Sequence, residues 1–268
     1  MLCTTLRSDF HEITIAVILA LLSALSIYTE SIGKQGFNIL ICLVYVAIVL
    51  FQPEKNFIYY VALSIPNTHV LSISGISAAV CIACLYVVRK VVTTSTYSFS
   101  TNLVFWLVLY CAYMLQYLVR FGSFLYGIIM PLKTTLVLVF LYMYSEESCI
   151  KNISPLIVFR IVIYWLVGIG AALLPTIVLT PGLSRLAVLN NDSNMLSIEI
   201  AFLFALLSIL YTSLRTINFS SYLETSLVCG FLSLACGSRS GLVLFAAVTV
   251  ITIFANLKSP RKVLAVVI

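Results

Sequence analysis

The chain has 268 residues, 62% of them hydrophobic and 9% charged, with a formal net charge of +6. Its mean hydropathy of +1.14 excludes an ordinary soluble domain, in which charged residues make up about 25%. The lysines and arginines are dispersed singly between apolar runs, so the positive charge reports membrane topology and no nucleic-acid partner is expected.

The apolar runs are continuous over about 15 to 24 residues, unlike the roughly ten-residue alternating strands of a membrane β-barrel. The expected fold is therefore all-α and integral to the membrane, a single polytopic domain over 1–268. Residues 1–10 precede the first run, and no small-residue cleavage site follows Tyr28. The run 13–28 thus reads as a retained first span and not as a signal peptide. Further spans are predicted at 37–51, 57–71, 73–88, 102–119, 124–144, 156–179, 196–214, 222–236 and 240–257. An eleventh opens at Val263 and breaks off at Ile268, so the chain is expected to be incomplete at its C-terminus. As one helix, 57–88 would measure about 48 Å against a hydrocarbon core of about 30 Å. Pro66-Asn67-Thr68-His69 in its middle predicts a hairpin of two short spans.

Cytoplasmic loops are enriched in lysine and arginine. With a cytoplasmic N-terminus and the hairpin, ten fall inside (Arg7, Lys55, Arg89, Lys90, Lys151, Arg160, Arg215, Lys258, Arg261, Lys262) and four outside (Lys34, Arg120, Arg185, Arg239). Merging the hairpin into one span leaves five inside and nine outside. The hairpin topology is preferred, and it puts Arg185 and Arg239 on one external face.

The eight cysteines lie mostly within apolar runs, and Cys81-Ile82-Ala83-Cys84 reads as a coincidence of spacing. With only His11 and His69 beside it, a zinc site lacks ligands. No P-loop, dinucleotide fingerprint or paired aspartates appear, so no metal or nucleotide cofactor is expected.

Two polar clusters interrupt the hydrocarbon. Gly237-Ser238-Arg239-Ser240-Gly241 joins two spans, and its arginine offers a planar fork of donors that matches phosphate oxygens in pairs. The flanking glycines allow a tight turn and close approach of a ligand, and Ser238 and Ser240 add hydroxyls. An ordinary turn with a snorkelling arginine explains the same residues. One hairpin earlier, Arg185 precedes Asn190-Asn191-Asp192-Ser193-Asn194, a cluster suited to helix capping and, through the same free amides, to anion binding. Glu199, about one turn into the next span, is either a structural partner of Arg185 or Arg239 or a base on an acceptor hydroxyl. Lys133 is the mid-span cation and should face an internal cavity or an acid. Arg120 is an interface anchor or part of the same cationic group, and His69 is a polar turn residue.

This arrangement resembles the O-antigen polymerase and O-antigen ligase family of bacterial membrane glycosyltransferases. The resemblance rests on Arg185 ahead of the Asn/Asp cluster that ends in Asn194, on Cys236-Gly237-Ser238-Arg239-Ser240-Gly241-Leu242-Val243, and on the basic turn that follows; it is specific over 185–245. It implies an inner-membrane enzyme that transfers glycan from undecaprenyl diphosphate on the periplasmic or outer face, with inversion and without a metal. Arg239, Arg185 and Glu199 would be catalytic, and Ser238, Ser240, Asn194, Asp192, Lys133 and Arg120 would bind substrate. The implied partners are the lipid-linked glycan and membrane lipid, with a flippase and a chain-length regulator. The family's large external loop after the next span has no counterpart before Ile268. A ligase, a flippase for the same lipid-linked sugar, and a structural membrane subunit are the alternatives.

Overall fold

A computed structural model describes residues 2–34, 36–73, 75–93, 101–122, 124, 128–147, 155–179, 193–212, 214, 217–236 and 238–255. Among these residues the chain forms ten α-helices and one short β-hairpin. The helices are α1 (Leu2–Ser31), α2 (Gly36–Leu50), α3 (Phe57–Ser64), α4 (Ala78–Thr93), α5 (Thr101–Phe121), α6 (Met130–Glu147), α7 (Pro155–Leu179), α8 (Ser193–Thr212), α9 (Phe219–Cys236) and α10 (Arg239–Ala255). The hairpin, β1 (Ser72–Ile73) and β2 (Ile76–Ser77), lies between α3 and α4, and 3-10 turns at Glu54–Asn56 and Ile65–Asn67 bracket α3. His11–Ser31, Pro155–Pro175 and Phe219–Cys236 are long and apolar enough to cross a bilayer. The predicted eleventh span lies outside the described residues.

Most predicted spans coincide with helices, but 57–88 is a correction. The helix α3 has 8 residues, about 12 Å at 1.5 Å per residue, too short to cross a membrane. Pro66 has no N–H for the helical ladder, and the Asn67 carbonyl takes the N–H groups of Val70 and Leu71 at 3.1 and 2.8 Å, which closes a turn instead. The chain reverses farther on, where Ser72 pairs with Ser77 and Ile73 with Ile76. Gly75 supplies the positive φ of 80° that this two-residue connection needs. The helix α4 then runs past the predicted end, to Thr93. The predicted span 124–144 is helical at Phe124, in the π turn at Ile128 and Ile129, and throughout α6. Gly122 at φ 63° ends α5.

Seven of the eight α3 residues are buried, as expected of a helix that is apolar on every side. It is enclosed by α1, α4 and α7. The approach to α7 is possible only at glycine: a Cβ on Gly168 would lie 2.2 Å from the Leu63 carbonyl oxygen. Around α3 the first core gathers Leu19 of α1, Tyr45 of α2, Tyr86 of α4 and Phe140 of α6. A second core joins α7, α8 and α9, with Phe245 and Val248 of α10 packed against it. Ile27 of α1 and Val70 belong to the second core, while Tyr164 of α7 packs on the first, so α1 and α7 tie the two together.

Polar contacts bring several helix ends to one end of the bundle. Glu54 pairs with Arg89 at 2.5 Å and with Lys90. Tyr144 donates to the Lys55 carbonyl at 2.6 Å, and Tyr164 donates to Glu12 Oε1 at 2.9 Å. Tyr59 stacks on Tyr164 at 5.3 Å. Outward faces are apolar, as Phe51 (88% exposed), Val119 (86%) and Phe231 (70%) show. Serines, asparagines and tyrosines point inward: Asn38 donates to Glu30 at 2.6 Å, and the buried Ser208 and Tyr222 hydroxyls meet at 3.5 Å.

Gly168 and Gly170 should therefore respond oppositely to alanine. Alanine gains about 1 kcal/mol of helix propensity over glycine, but at Gly168 the clash with a backbone oxygen outweighs it, for a net loss of about 1 to 3 kcal/mol. Nothing lies within 4 Å of a Cβ at Gly170, so Gly170→Ala is neutral or stabilising. Thermal unfolding of both variants in detergent checks the sign; equal midpoints would refute the close approach.

Candidate functional site

The start of α10 is built from the sequence cluster around Arg239. Ser238 is fully buried and acts as the N-cap: its Oγ accepts the Gly241 N–H at 3.3 Å, and its carbonyl accepts the Leu242 N–H at 3.1 Å. The Ser238 and Ser240 hydroxyls are 2.9 Å apart. Arg239 is the first helical residue and its side chain is exposed. The Arg239 and Ser240 amides fall in the first turn, where no intrahelical carbonyl is in reach, and the helix dipole adds positive potential there.

Gly241 sets where this terminus sits, which corrects its reading as a turn or ligand-approach glycine. It lies within α10, and a Cβ there would fall 1.4 Å from Ser197 Oγ of α8. One turn on, Phe245 stacks on Phe204 at 4.2 Å. The two helices therefore pack backbone to backbone at the starts of both, which puts the head of α8, with Asn194 as its second residue, at the same end as Arg239. The side chain of Asn194, and Arg185 and Asp192 entirely, lie outside the described residues.

Glu199 is half-buried, and its Oε2 has no hydrogen-bond partner among the described residues. Two residues turn a helix by about 200°, so Glu199 leaves α8 on a different side from the Ser197 seam. Trp165 of α7 lies beside it, but its indole N–H closes no bond to the carboxylate.

Lys133 lies within α6, which the π turn at Ile128 and Ile129 precedes directly. Its Nζ donates to the Gly75 carbonyl at the tip of the β-hairpin. It also lines a cavity of about 600 Å³ between α2, α4 and α6, together with Ile76, Cys81, Cys84 and Leu136. Arg120, at the end of α5, is exposed. The helix α6 packs on α4 and α5, whereas α10 packs on α8 and α9. Lys133 and Arg120 thus belong to a different helix group from Arg239. His69 is exposed, and its carbonyl accepts the Ser72 hydroxyl at 3.3 Å.

Two features escaped the reading of the sequence. Arg160 lies 3.9 Å from Glu12, and with Tyr164 they line a cleft of about 260 Å³ between α1 and α7. The available signal was an acid and a base at the heads of two spans assigned to the same side. The second is that Cys81 and Cys84, read in the sequence as a coincidence of spacing, share one face of α4 against the Lys133 cavity. No group of three His, Cys, Asp or Glu side chains converges among the described residues. No family model, curated protein or solved structure matches the chain.

The seam predicts a specific rescue. Gly241→Ala lowers the thermal midpoint by pushing α10 off α8, and Ser197→Gly in the same chain recovers most of the loss, because it removes the side-chain atoms that the new methyl meets. Absence of rescue would mean that Gly241 acts elsewhere than at this contact.

Proposed function

We propose that the chain is a multi-pass membrane protein that extends lipid-linked glycans by transfer from a polyprenyl diphosphate, as the resemblance over 185–245 implies. Ten helices with apolar outward faces and inward hydroxyls are what a bilayer requires, since lipid pairs with no polar group. Lys55, Arg89, Lys90 and Arg160, all counted on the cytoplasmic side, gather at one end, while Arg239 starts its helix at the other end of the topology.

The observation that carries the reading is the Ser238-capped head of α10, which presents an exposed guanidinium and two first-turn amides together. Such a terminus suits a diphosphate, whose oxygens take the guanidinium fork and the amides in parallel. In the proposed reaction an acceptor hydroxyl oxygen bonds to the anomeric carbon as the bond from that carbon to the diphosphate oxygen breaks, with inversion. The leaving diphosphate keeps the electron pair, and Arg239, with Arg185 in the role that the resemblance implies, stabilises the charge that develops. A carboxylate takes the hydroxyl proton; Glu199 is the candidate on α8, and its different helix side requires the acceptor to reach between α8 and α7. Ser240, Asn194 and Asp192 keep the substrate-binding role that the resemblance implies, and a bacterial inner-membrane location with the site facing outward follows from it.

Arg239→Ala should abolish long polymer in a deletion strain while the protein remains at normal abundance in the membrane. Arg239→Lys retains part of the activity, because the charge survives without the fork. Wild-type chain length from Arg239→Ala overturns the assignment. Single cysteines at 239 and 89, in a background lacking the native ones, should label from opposite sides with a membrane-impermeant maleimide; labelling from the same side overturns the topology. A flippase would instead leave single lipid-linked repeats on the cytoplasmic face when the chain is deleted.

A further inference from the structure

We infer that the cavity between α2, α4 and α6 binds a single-chain lipid with a phosphate head group, the phosphate at Lys133 and the hydrocarbon against Cys81, Cys84, Leu85 and Leu136. The inference rests on the membrane-embedded part of the proposed function and not on the transfer step.

The cavity volume of about 600 Å³ is within the range of about 300 to 1,000 Å³ of ligand pockets. Its lining is aliphatic and thiol except at one place, the ammonium of Lys133. That ammonium meets a neutral partner, the Gly75 carbonyl, and among the described residues no carboxylate pairs with it. A whole positive charge therefore stands beside an apolar wall, an arrangement that an anion relieves.

Lys133 and Ile76 stand where the β-hairpin meets α6, and the apolar lining runs along α4 from Val80 to Leu85 and along α6 on either side of Lys133. From Ile129 to Leu136 the wall extends about 10 Å at 1.5 Å per residue, room for a stretch of one chain. An uncharged alcohol of the same length forgoes the ammonium, and inorganic phosphate forgoes the wall. Only an amphiphile uses both.

The test uses the full chain in neutral-detergent micelles, with geranylgeranyl phosphate as the probe. Alkylation of Cys81 and Cys84 by N-ethylmaleimide is followed by peptide mass spectrometry, with Cys111 of α5, which faces Thr135, as the internal control. Geranylgeranyl phosphate should slow alkylation of both cavity cysteines at least fivefold and leave Cys111 unchanged. Geranylgeraniol, inorganic phosphate and dioleoyl phosphatidylglycerol should each change it less than twofold. Lys133→Gln should weaken the protection about tenfold or more in probe concentration, the usual consequence of losing a charge-assisted hydrogen bond, and Lys133→Arg should keep it. Equal protection by the alcohol, no protection by the phosphate, or undiminished protection in a folded Lys133→Gln protein overturns the site. Protection by phosphatidylglycerol as strong as by the probe overturns the single-chain assignment. Failure here leaves polymer synthesis by Arg239 variants to be read separately, since that assay touches neither Lys133 nor the cavity.

Discussion

The backbone contact between α7 and α3 is the constraint on which the rest of the structure depends. Gly168 allows α7 to reach the Leu63 carbonyl directly, and α3 is sealed by its neighbours on every side as a result. A long helix cannot be enclosed in this way within a bundle of this size. The sharp stop at Pro66 and Asn67 keeps α3 short, and the hairpin returns the chain to α4. Since α7 also runs through the second core, this contact helps to connect the two cores, a task that α1 shares through Ile27. Side chains larger than glycine at 168 push α7 off α3.

A second theme is where the charges stand. Glu54 meets both Arg89 and Lys90 at one end of the bundle, and Glu12 meets Arg160 nearby. These contacts hold helix ends together and leave one cation in excess in the Glu54 cluster. Arg239 differs, because it lies in the first turn of α10, where a cation gains nothing from the dipole. Lys133 differs because among the described residues its ammonium meets a carbonyl and no carboxylate. An anion is the proposed partner of each. They belong to separate helix groups, so the proposed glycan site and the lipid cavity are two places and not one.

The helices themselves were legible in the sequence. Runs such as 37–51 and 156–179 coincide with α2 and α7 within a residue or two at each end, because length and uniform apolarity specify a helix in lipid without reference to any neighbour. The segment 57–88 was not legible in the same sense. Its composition is that of two spans, but the turn at Pro66-Asn67 ends α3 without reversing the chain, and the reversal comes at Gly75. Lys133 was recognised as a cation in need of a cavity, and it lines one, while its partner, the Gly75 carbonyl at the hairpin tip, is 58 residues away in sequence.

By itself, the sequence determined the all-helical class, the order of the apolar segments and the residues too polar to be there without reason. These follow from composition and charge, which act residue by residue. Only the tertiary structure decided that Gly241 serves a helix contact, that Glu199 leaves α8 on a side away from that contact, and that Cys81, Cys84 and Lys133 share one cavity. Each of these depends on which face of one helix meets which face of another. That choice is made by packing between residues tens of positions apart, and no local pattern encodes it.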